Sequence, residues 1–173
     1  MVKDMRIETE RLVITEFTMD MARDVWMNSL DEDNRRFVPD EVFETPEDAE
    51  KAVAFLISRY GGTDGPLAYP VLTGRDGVNV GYVQLVPIAE GRWEIGYHIA
   101  KQYTGNGYAK EAVRAFLPVA AKMAGINEVY GICLSENKAS RHVLSACGFE
   151  PVFEGTGDYQ GREREIFRSV WRA

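Results

Sequence analysis

The sequence predicts an α/β fold, more closely an α+β one, with a mixed but mostly antiparallel sheet flanked by helices. Short runs rich in β-branched residues, typical of strands, are separated by longer runs with helical apolar spacing. One strand, Trp93 to Ala100, precedes a long helix and then another strand, Glu128 to Leu134, and this order indicates a parallel crossover. Residues 1–173 are predicted to form a single domain, because 45% hydrophobic content suffices for one core and no linker interrupts the chain.

The first half of the chain is predicted to contain one strand and two helices. Residues 11–17 alternate polar and apolar side chains, as a strand does. A helix over residues 21–30 follows, with Thr18 or Asp20 as its cap. The next helix begins at Thr45, has Pro46 in its first position and ends at residues 61–62, which are both glycine.

The second half of the chain is predicted to consist mainly of strands. Together with the strand of the first half they give a predicted sheet of seven strands. A long helix over residues 107–124 contains Pro118, which is expected to kink it. A shorter helix runs from Asn137 to Cys147. Residues 158–161 are expected to form the turn between the last two strands. The strands lie at residues 67–72, 80–88, 93–100, 128–134, 149–154 and 163–171.

Composition narrows the class of protein. The formal charge of −7 disfavours a broad surface for nucleic acid or anionic membrane and slightly favours cationic partners. Cys133 and Cys147 lie in apolar surroundings without metal-ligand spacing, so neither a zinc site nor a disulfide framework is expected. Met1 to Glu10 carries charges throughout, which argues against a signal peptide or anchor. A cytoplasmic protein without a metal is therefore expected.

The most informative segment lies between a strand and the start of the long helix. It reads Gln102-Tyr103-Thr104-Gly105-Asn106-Gly107-Tyr108-Ala109. Glycines at such a junction let backbone amides approach a phosphate, and the helix N-terminus adds partial positive charge. Position 110 is Lys, which excludes a dinucleotide-binding fingerprint, and Tyr108 follows the second glycine, which excludes a P-loop. Taken alone, this segment fits a helix N-terminus that needs glycine only for its backbone conformation as well as it fits a phosphate site.

Further motifs make the resemblance specific. The segment Gln102-x-x-Gly105-x-Gly107 resembles the signature Gln/Arg-x-x-Gly-x-Gly/Ala of the GNAT acetyltransferases. Asn137-x-x-Ser140, followed by Cys147-Gly148-Phe149, is similar to a second segment of that family. The strand over residues 94–99 and the opening residues 8–12 resemble the branch of ribosomal-protein N-terminal acetyltransferases (RimJ/RimL-like). Together these similarities cover nearly the whole chain, with residues 30–70 matching least.

The resemblance implies a coenzyme site and its residues. In this family the loop amides hold the pyrophosphate of coenzyme A, and the sheet splits at the central parallel strands to admit the pantetheine arm. Acetyl-CoA is thus the implied co-substrate, and the Ile99 amide is placed to polarise the thioester carbonyl. The implied coenzyme-binding residues are His98, Ile99, Ala100, Gln102, Tyr103, Thr104, Gly105, Asn106, Gly107, Tyr108, Ala109, Lys110, Asn137 and Ser140.

Three residues are candidates for proton transfer from the acceptor amine. Glu94 is the first candidate for general base, acting through water, although a carboxylate needs burial to match an ammonium group. A solvated glutamate at a strand edge is the alternative explanation. Asp158 is the second candidate for general base. The alternative explanation is that it is an aspartate that only stabilises a turn. His98 titrates near neutrality and could relay a proton, but a single histidine on a strand is more often structural.

The chain departs from the family at the leaving-group acid. Many GNAT enzymes carry a tyrosine at the position occupied here by Leu144. The resemblance then suggests that Ser140 protonates or hydrogen-bonds the coenzyme sulfur. Asn137 is implied to bind pantetheine or a water beside it, although an N-cap explains this residue equally well. Ser140 also fits a merely structural first turn.

Two classes of function follow. The first is an N-acetyltransferase that transfers an acetyl group from acetyl-CoA to a primary amine by direct attack in a ternary complex, because neither cysteine has the partner of an activated nucleophile. The second is a non-catalytic acyl-CoA-binding or regulatory module. The acceptor, a protein N-terminal amine or a small-molecule amine, is left open. Homodimers are common among similar proteins, but the sequence leaves the oligomeric state open.

Overall fold

A computed structural model describes residues 4–173 and contains one mixed sheet of eight strands. The prediction made for Met1 to Glu10 lies partly outside the described residues. The strand order is β1-β2-β3-β4-β5-β6-β8-β7, with β5 and β6 parallel and every other neighbouring pair antiparallel. The strands are β1 Arg6–Glu8, β2 Leu12–Thr15, β3 Leu67–Thr73, β4 Asn79–Pro87, β5 Trp93–Ile99, β6 Glu128–Leu134, β7 Glu150–Tyr159 and β8 Arg162–Arg172.

The predicted mixed sheet is confirmed, but the predicted count of seven strands is wrong. The additional strand, β1, has only three residues, which is too short for an alternating pattern to stand out. The last hairpin also differs from the prediction. Asp158 lies within β7 opposite Glu163, and the turn is formed by Gln160 and Gly161 with φ of 52° and 76°. Asp158 is therefore a strand residue rather than a turn residue.

Five α-helices flank the sheet in the described part of the chain: α1 Ala22–Ser29, α2 Glu32–Phe37, α3 Pro46–Arg59, α4 Tyr108–Ala124 and α5 Lys138–Ala146. The sequence did not predict α2, because EDNRRF lacks an apolar stripe. α3 begins at Pro46, within one residue of the prediction, and Thr45 caps it by accepting a hydrogen bond from the Asp48 amide at 3.1 Å. Pro118 does not end α4, which continues through it to Ala124.

The central parallel pair separates soon after it begins. β5 and β6 are paired only at Glu94 and Tyr130, whereas β5 remains paired with β4 from Trp93 to Ile99. One edge of β5 is therefore left open beyond Glu94. The predicted split at the central parallel strands is present.

A large core fixes the geometry of this split. Phe116 and Leu117 of α4 pack with the central strands in one apolar cluster, and both are almost completely inaccessible to solvent. Burial of such side chains contributes roughly 1.5–3 kcal/mol each, so the divergence rests on a rigid base. None of the helices formed by residues 4–173 has the length and apolar character needed to cross a bilayer.

Candidate active site

An open cavity of about 760 Å³ lies where β5 and β6 separate. Its walls come from β5, the start of α5, the end of β7 and the segment around α2. All three predicted catalytic residues, Glu94, Ser140 and Asp158, line it. The structure thus brings together side chains that lie up to 64 positions apart in the sequence.

The glycine-rich loop enters α4 in the conformation that the sequence predicts. Gly105 and Gly107 have φ of 83° and 79°, in the left-handed region that glycine adopts without strain. The side chains of Thr104 and Asn106 bond back to carbonyls within the loop, at 2.7 and 3.0 Å. Among residues 4–173, no group accepts a hydrogen bond from the amides of residues 105–110. This row of free donors at a helix N-terminus suits a pyrophosphate.

An ion pair anchors the loop to the N-terminal strands. Glu111, in the first turn of α4, accepts hydrogen bonds from Arg11 Nε at 2.7 Å and from Thr9 Oγ1 at 2.7 Å. Arg11 Nη1 also donates to the Asn106 carbonyl at 2.8 Å, and its guanidinium lies over the Tyr108 ring. These contacts hold the pKa of Glu111 below its ordinary value despite partial burial. Thr9 and Arg11 thus fix the loop and the start of α4 from outside the cavity.

The peptide groups of β5 face alternately towards β4 and towards the open edge of the strand. Ala100 N–H donates to the Val80 carbonyl at 2.9 Å. The His98 carbonyl oxygen lies so close to Gly81 that a Cβ added to Gly81 would be 1.9 Å from this oxygen. Because successive peptide groups of a strand point to opposite neighbours, Tyr97 and Ile99 present theirs to the split. The Ile99 amide is therefore available at the split, whereas the His98 carbonyl and the Ala100 amide face β4.

Glu94 belongs to a pair of carboxylates, and its partner was missed by the sequence analysis. Glu41, from the short turn after α2, lines the same cavity. Gln84 Nε2 of β4 donates to Glu41 Oε1 at 2.9 Å. The Gln84 side chain has room beside β5 because Gly96 has no side chain: a Cβ at Gly96 would lie 2.7 Å from Gln84. Burial, together with the charge of Glu41, raises the pKa of Glu94 to about 7. Burial likewise raises the pKa of Glu41 to about 7.

Asp158 occupies a different environment on the opposite wall of the cavity. It is exposed to solvent at the end of β7, whereas its neighbour Tyr159 is half-buried. The Tyr159 hydroxyl donates to the Phe37 carbonyl and so connects β7 to α2 across the cavity. Burial, reinforced by the charges of Glu94 and Glu41, raises the pKa of Tyr159. Tyr159 and Phe37 both line the cavity, whereas Tyr69 and Trp93 lie in the core.

Ser140 projects from the first turn of α5 towards β5. Asn137 caps this helix, because its Oδ1 accepts from the Ser140 amide at 3.1 Å. The Ser140 hydroxyl lies 2.6 Å from the hydroxyl of Tyr97 on β5, a residue to which the sequence assigned no role. Leu144 is packed against Gly131 and is 1% exposed, so an apolar side chain fills the place of the family's tyrosine.

His98 serves as a structural bridge in this arrangement. Its Nε2 lies 3.2 Å from the Asn28 carbonyl and 3.4 Å from Asp31 Oδ2. Burial lowers the pKa of His98 and outweighs the opposing effects of Asn28 and Asp31. The neutral ring therefore links β5 to the segment between α1 and α2.

The other predicted coenzyme residues are distributed along one path. His98, Ile99, Thr104, Ala109, Asn137 and Ser140 line the cavity. The remaining ones lie outside its wall, on the loop that follows β5 and in the first turn of α4: Ala100, Gln102, Tyr103, Gly105, Asn106, Gly107, Tyr108 and Lys110. The path from the open edge of β5 to the free amides suits an extended thioester that ends in phosphates. Fold and site together define an acyl-CoA-dependent transferase.

Comparison with known proteins gives the same class. Residues 11–150 match the acetyltransferase (GNAT) domain family. An uncharacterized N-acetyltransferase, YnaD of Bacillus subtilis, is 30% identical over 145 residues, which cover 83% of this chain and 82% of that protein. The chain belongs to the GNAT acetyltransferase family. It transfers an acetyl group from acetyl-CoA to an amine, which favours the catalytic interpretation over the non-catalytic module.

Solved structures share the fold. A GNAT-family acetyltransferase from Bacillus anthracis has a TM-score of 0.81 at 24% identity, covering 97% of this chain and 98% of that one. RimL, a ribosomal L7/L12 α-N-protein acetyltransferase solved in complex with coenzyme A, has a TM-score of 0.81 at 16% identity, with the same coverage.

Proposed function

We propose that the chain acetylates primary amines by direct attack in a ternary complex, with Glu94 as the general base. The observation that carries this proposal is the half-buried pair of Glu94 and Glu41, which shares a cavity with Ser140 at the open edge of β5. A general base works best when its pKa lies near the working pH. Burial and mutual repulsion of the two carboxylates supply that match for Glu94. Exposed Asp158 is the second candidate for this role.

The coenzyme is held by backbone groups in this proposal. The amides of residues 105–110 bind the pyrophosphate, and the open edge of β5 receives pantetheine. The Ile99 amide then donates to the thioester oxygen as negative charge develops there. The ammonium group gives one proton through water to Glu94, and the neutral amine attacks the thioester carbon. The carbon–nitrogen bond forms, and the carbon–sulfur bond breaks with its electron pair on sulfur. Ser140 donates a hydrogen bond to that sulfur, which takes up the second proton released by the nitrogen, while Glu94 returns the first proton to solvent.

The acceptor enters from the side of α2 and β7 and is cationic before it loses its proton. Seven carboxylate residues line the cavity against three basic ones. The acidic members are Asp31, Asp33, Asp40, Glu41, Glu90, Glu94 and Asp158. Such a wall attracts an ammonium group by long-range electrostatics. A protein N-terminal amine is the first acceptor we propose, in keeping with the ribosomal-protein acetyltransferase among the structural neighbours, and a small-molecule amine is the second.

A thiol-release assay tests the activity and identifies the acceptor. The protein is mixed with acetyl-CoA and a panel of N-terminal peptides, polyamines and aminoglycosides, and free coenzyme A thiol is followed over time. We expect turnover with at least one amine and a pattern of intersecting lines when both substrates are varied. Tight acetyl-CoA binding without turnover on the whole panel would contradict the proposal. Ping-pong kinetics would contradict direct attack.

Replacement of Glu41 by Gln is expected to change the pH dependence of activity. The base must be ionised, so wild-type kcat should rise as pH increases through about 7. The neutral amide removes the charge that helps to raise the pKa of Glu94. This ascending limb should therefore move to lower pH, by about one pH unit. Titration of the acceptor amine is common to both proteins and cancels in the comparison. A limb that does not move would show that Glu41 has no influence on the base.

Two broader expectations belong to the same proposal. Cys133 and Cys147 are both buried as free thiols, which supports a reducing cytoplasmic location.

The edge strand β7 exposes Val152 and Phe153, which supports a homodimer formed through that edge. Light scattering at micromolar concentration would measure the mass, and a monomer would contradict the dimer.

A further inference from the structure

We infer that Tyr97 is a positioning residue that keeps the hydroxyl hydrogen of Ser140 free for the coenzyme sulfur. The inference rests on the proposed role of Ser140 as the sulfur's hydrogen-bond donor. Tyr97 projects from β5 and Ser140 from α5, and their hydroxyl oxygens meet at 2.6 Å beside the split in the sheet. Both residues line the cavity.

A count of hydrogens limits the direction of the bond between the two hydroxyls. Each hydroxyl has one hydrogen, so two arrangements are available to the pair, and the Cys133 thiol is a further hydrogen-bonding neighbour of Ser140. If Ser140 donates to Tyr97, its hydrogen is consumed and Tyr97 must donate to the Ser140 carbonyl, which lies 3.1 Å away and also belongs to the α5 ladder. If Tyr97 donates to Ser140 Oγ at 2.6 Å, the serine hydrogen remains free. Both arrangements use the 2.6 Å contact, but once Ser140 gives its hydrogen to the coenzyme sulfur only the second remains, in which Tyr97 donates to Ser140 Oγ.

The surroundings make Tyr97 a permanent donor. Its ring packs against the apolar core, and burial raises the pKa of its hydroxyl. The phenol therefore keeps its proton throughout the reaction. The Ser140 backbone is fixed independently, because Asn137 accepts from its amide at 3.1 Å. The cap thus places Oγ, and Tyr97 sets the direction of its hydrogen.

The same pairing explains how the chain works with Leu144 in place of a tyrosine. Leu144 fills the space beside Gly131 and offers no hydroxyl. The tyrosine on β5 reaches the first turn of α5 from the other side of the split. It supports the serine without itself touching the sulfur, so it is a positioning residue.

A double-mutant cycle tests the inference. Tyr97→Phe should lower kcat about tenfold, and Ser140→Ala about a hundredfold, with KM for acetyl-CoA unchanged within about twofold. Tyr97→Phe should have no further effect in the Ser140→Ala background, because its action passes through the serine. Tyr130→Phe, which removes an exposed hydroxyl on β6, is the matched control and should keep wild-type activity. Additive losses, or full activity in Tyr97→Phe, would overturn the inference.

A binding measurement separates this inference from the proposed activity. Coenzyme A and desulfo-coenzyme A, which lacks the sulfur, are titrated into each variant by calorimetry. The wild-type protein should prefer coenzyme A by about threefold to tenfold, and Tyr97→Phe should reduce this preference towards that of Ser140→Ala. Equal preference in wild type and Tyr97→Phe refutes the role of Tyr97, even if turnover is normal. A normal preference without turnover on any amine refutes the proposed activity alone.

Discussion

Glu94→Gln is expected to lower kcat by about 10²–10⁴-fold, with little change in the affinity for acetyl-CoA. The amide keeps the size of the side chain but cannot accept the amine proton. Binding of the coenzyme depends on backbone groups elsewhere, so KM for acetyl-CoA should remain close to the wild-type value. Steady-state kinetics with the acceptor identified by the thiol-release assay provides the measurement.

The same substitution should stabilise the protein at alkaline pH. The pKa of Glu94 is raised from 4.5 to about 7 on folding, so the folded protein holds its proton more tightly than the unfolded chain. Its contribution to stability is fully present below pH 4.5 and is lost as pH rises through 7. Glu94→Gln should therefore increase the free energy of unfolding by about 3 kcal/mol at pH 8 and change it little at pH 4.

Controls separate a catalytic carboxylate from a general effect of charge. Glu50→Gln removes an exposed carboxylate on α3 and should change neither kcat nor the pH dependence of stability. Asp158→Asn tests the rival base directly. If Asp158→Asn lost more activity than Glu94→Gln, the assignment of the base would pass to Asp158.

Gly105→Trp is expected to weaken acetyl-CoA binding by about a hundredfold or more. A Cβ at this position meets no atom within 4 Å, so the indole would extend into the space in front of the free loop amides. There it would occupy the position proposed for the pyrophosphate. Isothermal titration with acetyl-CoA measures the loss.

Gly77→Trp provides a control with matched backbone strain. Gly77 also has a positive φ, 66°, and open space at its Cβ, but it lies in the turn between β3 and β4. Both substitutions should destabilise the fold by about 1–2 kcal/mol, because a side chain replaces glycine in the left-handed region. Only Gly105→Trp should lose coenzyme affinity. Equal affinity in the two variants would place the donor site elsewhere.

Local signals in the sequence were sufficient for most of the sheet and for the loop. Alternation and β-branched residues placed β6 at its observed bounds, and the glycines at 105 and 107 take the positive φ that the motif predicted. The residues needed for these features are neighbours in the chain. Their conformational preferences therefore act over a few positions, where sequence patterns are readable.

The role of Glu41 could not be predicted from local sequence patterns. It lies in a polar segment without periodicity, and nothing near it marks a buried acid. Its role depends on Gln84, 43 positions later, and on the missing side chain of Gly96, which makes room for that glutamine. The sequence marks Glu94 as an acid that needs burial to act as a base, whereas the second carboxylate becomes evident only in the tertiary structure.

The sequence by itself determined the order of the elements, the mixed sheet, the glycine-rich loop and the family resemblance, because each depends on short-range spacing. The tertiary structure alone decided which backbone groups of β5 remain open, which carboxylates share a cavity, and that Tyr97 meets Ser140. Hydrogen bonds and pKa values depend on distances between atoms and on exclusion of water. Those quantities arise only when distant parts of the chain are packed together.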